Sequence, residues 1–124
     1  MEKNKEFRQK LIERAFNLAK NVINLVDKFP KKRASWVISD QLLRASTSIG
    51  ANIIEAQAAS SRKDFVNFLH HSLKSGNETL FWLALAKELD QRLQNEVPNL
   101  ERETEELVKI LSSSLLTLKG RKKL

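Results

Sequence analysis

The chain has 124 residues, of which 22 are Lys or Arg and 15 are Asp or Glu, so its formal charge is +7. This length fits one domain with its own core, residues 1–124, and the absence of cysteine excludes disulfides and thiol chemistry. The positive charge favours a polyanionic partner such as RNA or DNA, although it is equally common as an aid to solubility.

The charge is uneven along the chain. Residues 1–74 hold 14 basic and 7 acidic side chains, residues 75–118 hold 4 and 8, and the tail 119–124 adds four more basic ones. The first residues are charged throughout, and the longest uncharged run, 45–54, is too short to span a bilayer. We therefore expect a soluble, cytoplasmic protein that does not insert into a membrane.

The first predicted helix covers residues 4–28 and carries two neighbouring apolar stripes. One stripe contains Phe7, Leu11, Ala15, Leu18, Val22 and Leu25, and the other contains Ile12, Phe16, Ala19, Ile23 and Val26. Two stripes form a face wider than one partner helix needs, which predicts an oligomer. Phe29-Pro30 ends this helix, because proline restricts the residue before it and cannot donate the next helical hydrogen bond.

The second predicted helix covers residues 34–58 and the third covers residues 62–91. Gly50 lies inside the second helix among small residues, which favours the close approach of another backbone. Ser61 and Asp64 fit a capping box at the start of the third helix. The short linker between the two helices makes them antiparallel, so residues whose numbers sum to about 120 should face each other.

A polar stripe follows the second helix beside its apolar face. It consists of Gln41, Arg44, Ser48, Asn52 and Glu55. The antiparallel register places Arg44 against Ser75 and Glu78, which predicts a buried Arg44–Glu78 pair whose disruption would cost roughly 3–5 kcal/mol. The alternative is a ligand or subunit contact lined by the same groups. The register also brings Trp36 and Trp82 to one end of the bundle, where core packing is their first expected role.

The fourth predicted helix covers residues 100–119, after a polar connection at 94–99 that contains Pro98. Gly120 is expected to stop it, leaving residues 119–124 as a frayed basic tail. No strand pattern is present, so the sequence predicts an all-α, antiparallel up-down-up-down four-helix bundle.

The segments QLLRASTSIGANIIEA, SRKDF and SLKSGNETLFWL resemble the signature of the small bundle proteins encoded in intervening sequences of bacterial 23S rRNA genes. The chain departs from that pattern at Arg33, Ala56 and Lys74. The resemblance implies a four-helix bundle, frequently a homopentamer, without established enzymatic activity. Similar bundles are nucleic-acid-binding accessory subunits of retroelement reverse transcriptases, so a protein partner of this kind is also implied.

No constellation for catalysis, metal binding or cofactor binding is present in the sequence. His70 and His71 are adjacent on a helix and point about 100° apart, so they cannot chelate one ion together. The chain contains no Gly-rich phosphate loop, HExxH motif or nucleophile elbow. We therefore expect a protein that is not an enzyme and needs no cofactor.

Basic side chains are the candidate nucleic-acid ligands. The candidates are Lys3, Lys10, Arg14, Lys31, Lys32, Arg33, Arg62, Lys63, Arg121, Lys122 and Lys123. The leading hypothesis is an oligomeric, pentamer-type bundle that binds nucleic acid through this basic surface. The alternative is a protein-interaction module whose charge serves solubility or complementarity to another protein.

Overall fold

The computed structural model describes residues 2–123, with side chains for residues 3–120. It contains four α-helices: α1 is Glu2–Val26, α2 is Arg33–Gln57, α3 is Arg62–Ala86 and α4 is Val97–Lys123. A short 3-10 helix, Gln91–Asn95, precedes α4, and the described residues contain no strand. The predicted all-α four-helix bundle is confirmed.

Helix α1 buries only one of its two apolar stripes. Leu11, Ala15, Leu18, Val22 and Leu25 belong to the core. In the second stripe, by contrast, Phe16 is 67% exposed and Ile23 is 49% exposed. The helix ends at Val26, two residues before the predicted boundary, because the chain turns there and the amide of Lys28 bonds to the carbonyl oxygen of Leu25 at 2.9 Å.

Helices α2 and α3 form the predicted antiparallel hairpin. The buried Ser72 Oγ donates to the carbonyl oxygen of Ile49 at 2.8 Å, which agrees with the register expected from the short linker. The Ser61 hydroxyl caps α3 by accepting the amide of Asp64 at 3.1 Å. The Asp64 carboxylate accepts from Ser60 Oγ instead, so only the serine half of the predicted capping box forms.

Two glycines let neighbouring helices approach closely. A Cβ added to Gly50 would lie 3.2 Å from the Cβ of Ala15, so α1 and α2 pack closely there as predicted. A Cβ added to Gly76 would lie 2.8 Å from Cγ2 of Val108, so the Val108 side chain of α4 occupies the space beside this glycine. Glycine at these two positions removes the side chain that would separate the helix axes.

The connection between α3 and α4 differs from the prediction. Helix α3 ends at Ala86 rather than at 91, because Asp90 caps a separate 3-10 helix by accepting the amide of Arg92 at 2.9 Å. Helix α4 begins at Val97, with Pro98 in the first turn, where a missing amide N–H costs nothing. It also continues through Gly120 to Lys123, so the predicted stop at Gly120 is wrong. A glycine weakens a helix but does not by itself end it.

The four helices give the bundle two different ends. The terminal end comprises residues 2–10, 55–66 and 107–123, where both chain termini meet the α2–α3 turn. The loop end comprises residues 24–41 and 80–100. Contacts between α1 and α4, such as Arg14 with Glu103, fix this antiparallel register. A helix of 25 residues such as α1 is about 37 Å long, which sets the distance between the two ends.

Candidate nucleic-acid interface

The net charge of the protein is concentrated at the terminal end. Its residues include 11 Lys or Arg and 4 Asp or Glu, which gives +7. The rest of the chain contains 11 basic and 11 acidic residues and is neutral. Among the described side chains of the terminal end, eight are basic and three are acidic, so the excess does not depend on the tail alone.

Four of the predicted basic ligands lie at this end among the described side chains. Lys3, Lys10 and Lys63 are exposed, and Arg62 donates to the carbonyl oxygen of Leu118 at 3.0 Å while remaining exposed. The side chains of Arg121, Lys122 and Lys123, also predicted as ligands, lie outside the described residues. Antiparallel packing of α4 against α1 gathers these residues from three helices into one region.

The predicted ligand set leaves out further members of this basic region. Lys5 and Arg8 precede Lys10 on α1, Lys109 is exposed at the middle of α4, and Lys119 is exposed near its end. Lys109 lies within residues 75–118, which hold more acidic than basic side chains, and Lys119 follows directly after them. A count of charge along the chain therefore does not assign these two residues to a basic region. The signal that could have found them is topological, because an up-down bundle places the end of its last helix beside the start of its first.

The predicted loop ligands Lys31, Lys32 and Arg33 lie at the opposite end of the bundle. Lys32 Nζ donates to the carbonyl oxygen of Leu89 at 3.1 Å, and Lys28 nearby pairs with Glu96. The loop end as a whole holds six basic and five acidic residues. These basic groups are partly neutralised by their surroundings, and they do not form one surface with the terminal end.

Arg14 is engaged in an ion pair between helices. Its Nε and Nη2 donate to the two carboxylate oxygens of Glu103 at 2.9 and 3.2 Å. The hydrogen bond with Glu103 raises the pKa of Arg14. Partial burial lowers this pKa, and the nearby negative charges of Glu103 and Glu106 raise it further. Arg14 therefore joins α1 to α4, and the prediction that it offers a free charge to phosphate is wrong.

The predicted buried polar network does not form. Arg44 pairs with Asp40 at 3.5 Å, with 74% of the Arg44 side chain exposed, and Glu78 is exposed without an ion pair among the described residues. Two other stripe residues bond within their own helix: Ser48 Oγ donates to the carbonyl oxygen of Arg44 at 2.7 Å, and Asn52 Nδ2 donates to that of Ser48 at 2.9 Å. Gln41, Glu55 and Ser75 are likewise exposed or half-buried. The stripe follows the outer edge of the α2–α3 groove, because the polar groups lie beside the buried face rather than on it.

An apolar surface lies on the outside of helices α1 and α2, and we call it the α1–α2 face. It contains Phe16 and Ile23 of α1 and Trp36 and Ile54 of α2. The two residues of α1 lie on the side of that helix that is turned toward α2, and the two residues of α2 lie on the side turned toward α1. The four residues therefore flank the groove between the two helices. Trp36 is 69% exposed and is not a core residue. Trp82, in contrast, is half-buried against the core and packs edge to face on Phe81, with ring centroids 5.1 Å apart.

No group of three or more His, Asp or Glu side chains in the described part of the chain is arranged to hold a metal ion. His70 is half-buried and His71 is exposed. Within residues 2–123, no helix has an apolar stretch long enough to cross a membrane. The two candidate interaction surfaces are therefore the basic terminal end and the α1–α2 face.

Comparison with known proteins identifies the family. Residues 7–113 match the sequence model of the 23S rRNA-intervening sequence proteins. The fold is similar to the crystal structure of a protein with unknown function from the S23 ribosomal protein family of Bacteroides thetaiotaomicron VPI-5482. The TM-score is 0.79 and the identity is 33%, over 87% of this chain and 96% of that chain. A search of curated proteins found no match. The chain belongs to the family of 23S rRNA-intervening sequence proteins.

Proposed function

We propose that this protein is a non-enzymatic, oligomeric nucleic-acid-binding protein that presents its terminal end to the phosphate backbone. The observation that carries the proposal is the segregation of charge, since the terminal end holds all +7 of the net charge and the rest is neutral. A concentrated basic region raises the local concentration of polyanions and steers their approach. Membership in a family linked by name to 23S rRNA supports RNA as the first ligand to test.

Oligomerisation would decide the strength of binding. One terminal end neutralises few phosphates, so its affinity is expected to be weak and to fall steeply with salt. A ring of five copies, each carrying +7, would carry +35. Because sequence-independent affinity grows with the number of phosphates neutralised, the assembled ring would be the effective binding unit.

The α1–α2 face supports an oligomer. Phe16, Ile23 and Trp36 expose large apolar surfaces, and together with Ile54 they flank the groove between α1 and α2. Faces of this kind mark interaction sites in soluble proteins. A contact between this face and a different surface of the next copy would be head to tail, and such contacts form a ring when the rotation between copies closes. The resemblance to the family makes five the expected number of members.

Binding is tested by fluorescence anisotropy with a short single-stranded RNA, its DNA counterpart and a duplex, from about 50 to about 200 mM salt. We expect affinity to fall linearly on a log–log plot as salt rises, and to show little dependence on sequence. Absence of binding by the wild-type protein at about 50 mM salt would contradict the proposal, since electrostatic attraction is strongest there.

The oligomer is tested by sedimentation equilibrium at tens of micromolar protein. We expect the wild type to be larger than the 14.2 kDa chain, and Phe16→Glu to dissociate it because the substitution places a charge in the apolar contact. Asn17→Glu, at the neighbouring exposed position, is the matched control and should keep the wild-type mass. A 14.2 kDa wild-type species would exclude the ring.

The alternative function is that of a protein-interaction module, such as an accessory subunit of a reverse transcriptase. It is favoured by a second exposed apolar group, Val37 and Phe81, at the loop end, where the charge is nearly balanced. One pull-down from native lysate, in which nucleic acid is sequenced and proteins are identified together, separates the two functions. Recovery of one stoichiometric protein without nucleic acid would favour the module.

A further inference from the structure

The terminal end contains an open cavity of about 520 Å³ between the four helices. Its floor is the core itself, formed by Leu11, Leu69 and Leu111, all of which are buried. The cavity exists because α1 and α4 make few contacts with each other. Phe7 continues the core stripe of α1 but is 50% exposed at the cavity wall. The cavity is open to solvent, so a ligand can enter it.

The lining combines groups that recognise different parts of a nucleotide. Phe7 and Phe65 contribute two aromatic rings. Arg8 and Lys109 contribute two positive charges, and the lining includes no Asp or Glu. Asn4 and Gln57 contribute amides; that of Gln57 uses one N–H on the carbonyl oxygen of Ile53 at 3.0 Å, which leaves its own carbonyl oxygen as an acceptor.

We propose that this cavity receives one unstacked base of a single-stranded nucleic acid whose backbone follows the basic terminal end. The base would contact the rings of Phe7 and Phe65, while Arg8 and Lys109 would bind the flanking phosphates. Single-strand binders combine these two elements, an aromatic surface for bases and a basic track for phosphates. This inference rests on the proposed nucleic-acid binding and adds the kind of strand and the place of the base.

The lining is mainly apolar with several polar groups, which fits a base, because a base has apolar faces and polar edges. Amide and hydroxyl groups offer donors and acceptors that match the edges of an unpaired base. The volume lies in the range of small-ligand sites.

The three consecutive serines of α4 provide a matched pair of variants. Ser114 lines the cavity and Ser112 does not, although both are half-buried on the same helix. We expect Ser114→Phe to fill the cavity and weaken binding of a single-stranded oligoadenylate of about ten nucleotides by about 5- to 150-fold, the range for loss of one base stack. Ser112→Phe should bind as the wild type does. Thermal melting checks that both variants are folded.

An abasic strand of the same length separates this inference from the proposed function. The wild type should bind it more weakly than oligoadenylate, and Ser114→Phe should bind the two strands alike. Equal wild-type affinity for both strands would overturn the base site while leaving phosphate binding intact. Failure of the wild type to bind either strand would overturn the proposed function itself.

Substitutions of Phe7 keep the test decisive if Ser114→Phe does not fold. Phe7→Leu keeps an apolar side chain but removes the aromatic ring, so we expect a loss of binding within the same range. Phe7→Trp keeps an aromatic ring, so its affinity should lie within about twofold of that of the wild type. If Phe7→Leu and Phe7→Trp bind equally well, stacking in the cavity is excluded.

Discussion

The two ends of the bundle are built in opposite ways. At the loop end, side chains join separate elements: Lys28 pairs with Glu96, and Lys32 donates to the carbonyl oxygen of Leu89. Lys87 of the same end pairs with Glu101, just beyond it on α4, at 3.0 Å. At the terminal end, Arg62 makes the only such hydrogen bond between helices found among the described side chains. The loop end is linked by polar contacts between elements and is nearly neutral, whereas the terminal end is strongly basic.

This difference indicates a division of roles within one domain. Paired charges of opposite sign interact with each other and contribute to the fold locally, but they leave little electrostatic potential to attract a ligand. Unpaired charges of one sign repel each other and weaken the fold, and they attract a polyanion. Under the proposed function, the contacts at the loop end link neighbouring elements, and the terminal end is the surface presented to nucleic acid.

The largest expected effect concerns core packing at the two ends. Leu93 of the 3-10 helix is buried at the loop end, and Leu93→Ala should lower the free energy of unfolding by about 2–5 kcal/mol. Phe7→Ala at the terminal end should cost only about 1 kcal/mol, because half of that side chain is already exposed. Urea unfolding monitored by circular dichroism gives both values. Equal losses would contradict the comparison.

The second effect concerns nucleic-acid affinity. Replacing Lys3, Lys10 and Lys63 with Gln removes three charges from the terminal end. The log–log salt slope should then become shallower by up to about 0.7 for each phosphate of a single strand that is no longer neutralised. Replacing Lys31, Lys32 and Arg33 removes the same charge from the loop end and should change the slope less. The terminal variant should melt near the wild type, because its substituted side chains are exposed, whereas the loop variant also loses the Lys32–Leu89 hydrogen bond and should be less stable by about 1 kcal/mol. A larger change in the loop variant would reverse the assignment of the two ends.

The third effect is a pH dependence confined to the loop end. Hydrogen bonds from the Arg92 side chain and amide lower the pKa of Asp90 to about 2, against about 3.9 when unfolded. The stabilisation of the folded state by ionised Asp90 should thus be fully present above about pH 4 and should be lost as the pH falls through about 2. Unfolding free energies of the wild type and Asp90→Asn should converge over that interval. A difference independent of pH would exclude this linkage.

The smallest effect lies between the two ends, at Arg44. Because its pair with Asp40 is exposed, Arg44→Ala should change stability by no more than about 0.5 kcal/mol. This replaces the roughly 3–5 kcal/mol expected for a buried pair with Glu78. Thermal melting is sufficient to measure it. A loss of roughly 3 kcal/mol or more would mean that the polar stripe is buried between subunits of the assembled protein.

Much of the fold could be predicted because it depends on local patterns. The apolar stripe from Leu11 to Leu25, the Ser61 cap and the small space at Gly50 each follow from spacing or residue type, and the structure confirms all three. The helix ends near Pro30 and Gly120 were less accurate. A chain can turn before a proline or continue through a glycine when its neighbours satisfy the backbone.

The candidate site was predictable only in part. Sequence reasoning identified Lys3, Lys10, Arg62 and Lys63, but it also included Arg14, whose charge is used by Glu103, and omitted Lys109 and Lys119. Whether a basic side chain is free depends on the helix packed beside it. That neighbour is distant along the chain, so charge counts and periodicity do not reveal it.

The sequence by itself determined the composition of the helices, their antiparallel order and the excess of positive charge, because each of these depends on residue type and short-range spacing. Only the tertiary structure decided where that charge is concentrated, which polar stripe stays at the surface and where the core opens into a cavity. These features depend on how closely particular helices approach. The distances between α1 and α4 are set by side chains that are far apart along the chain, such as Arg14 and Glu103.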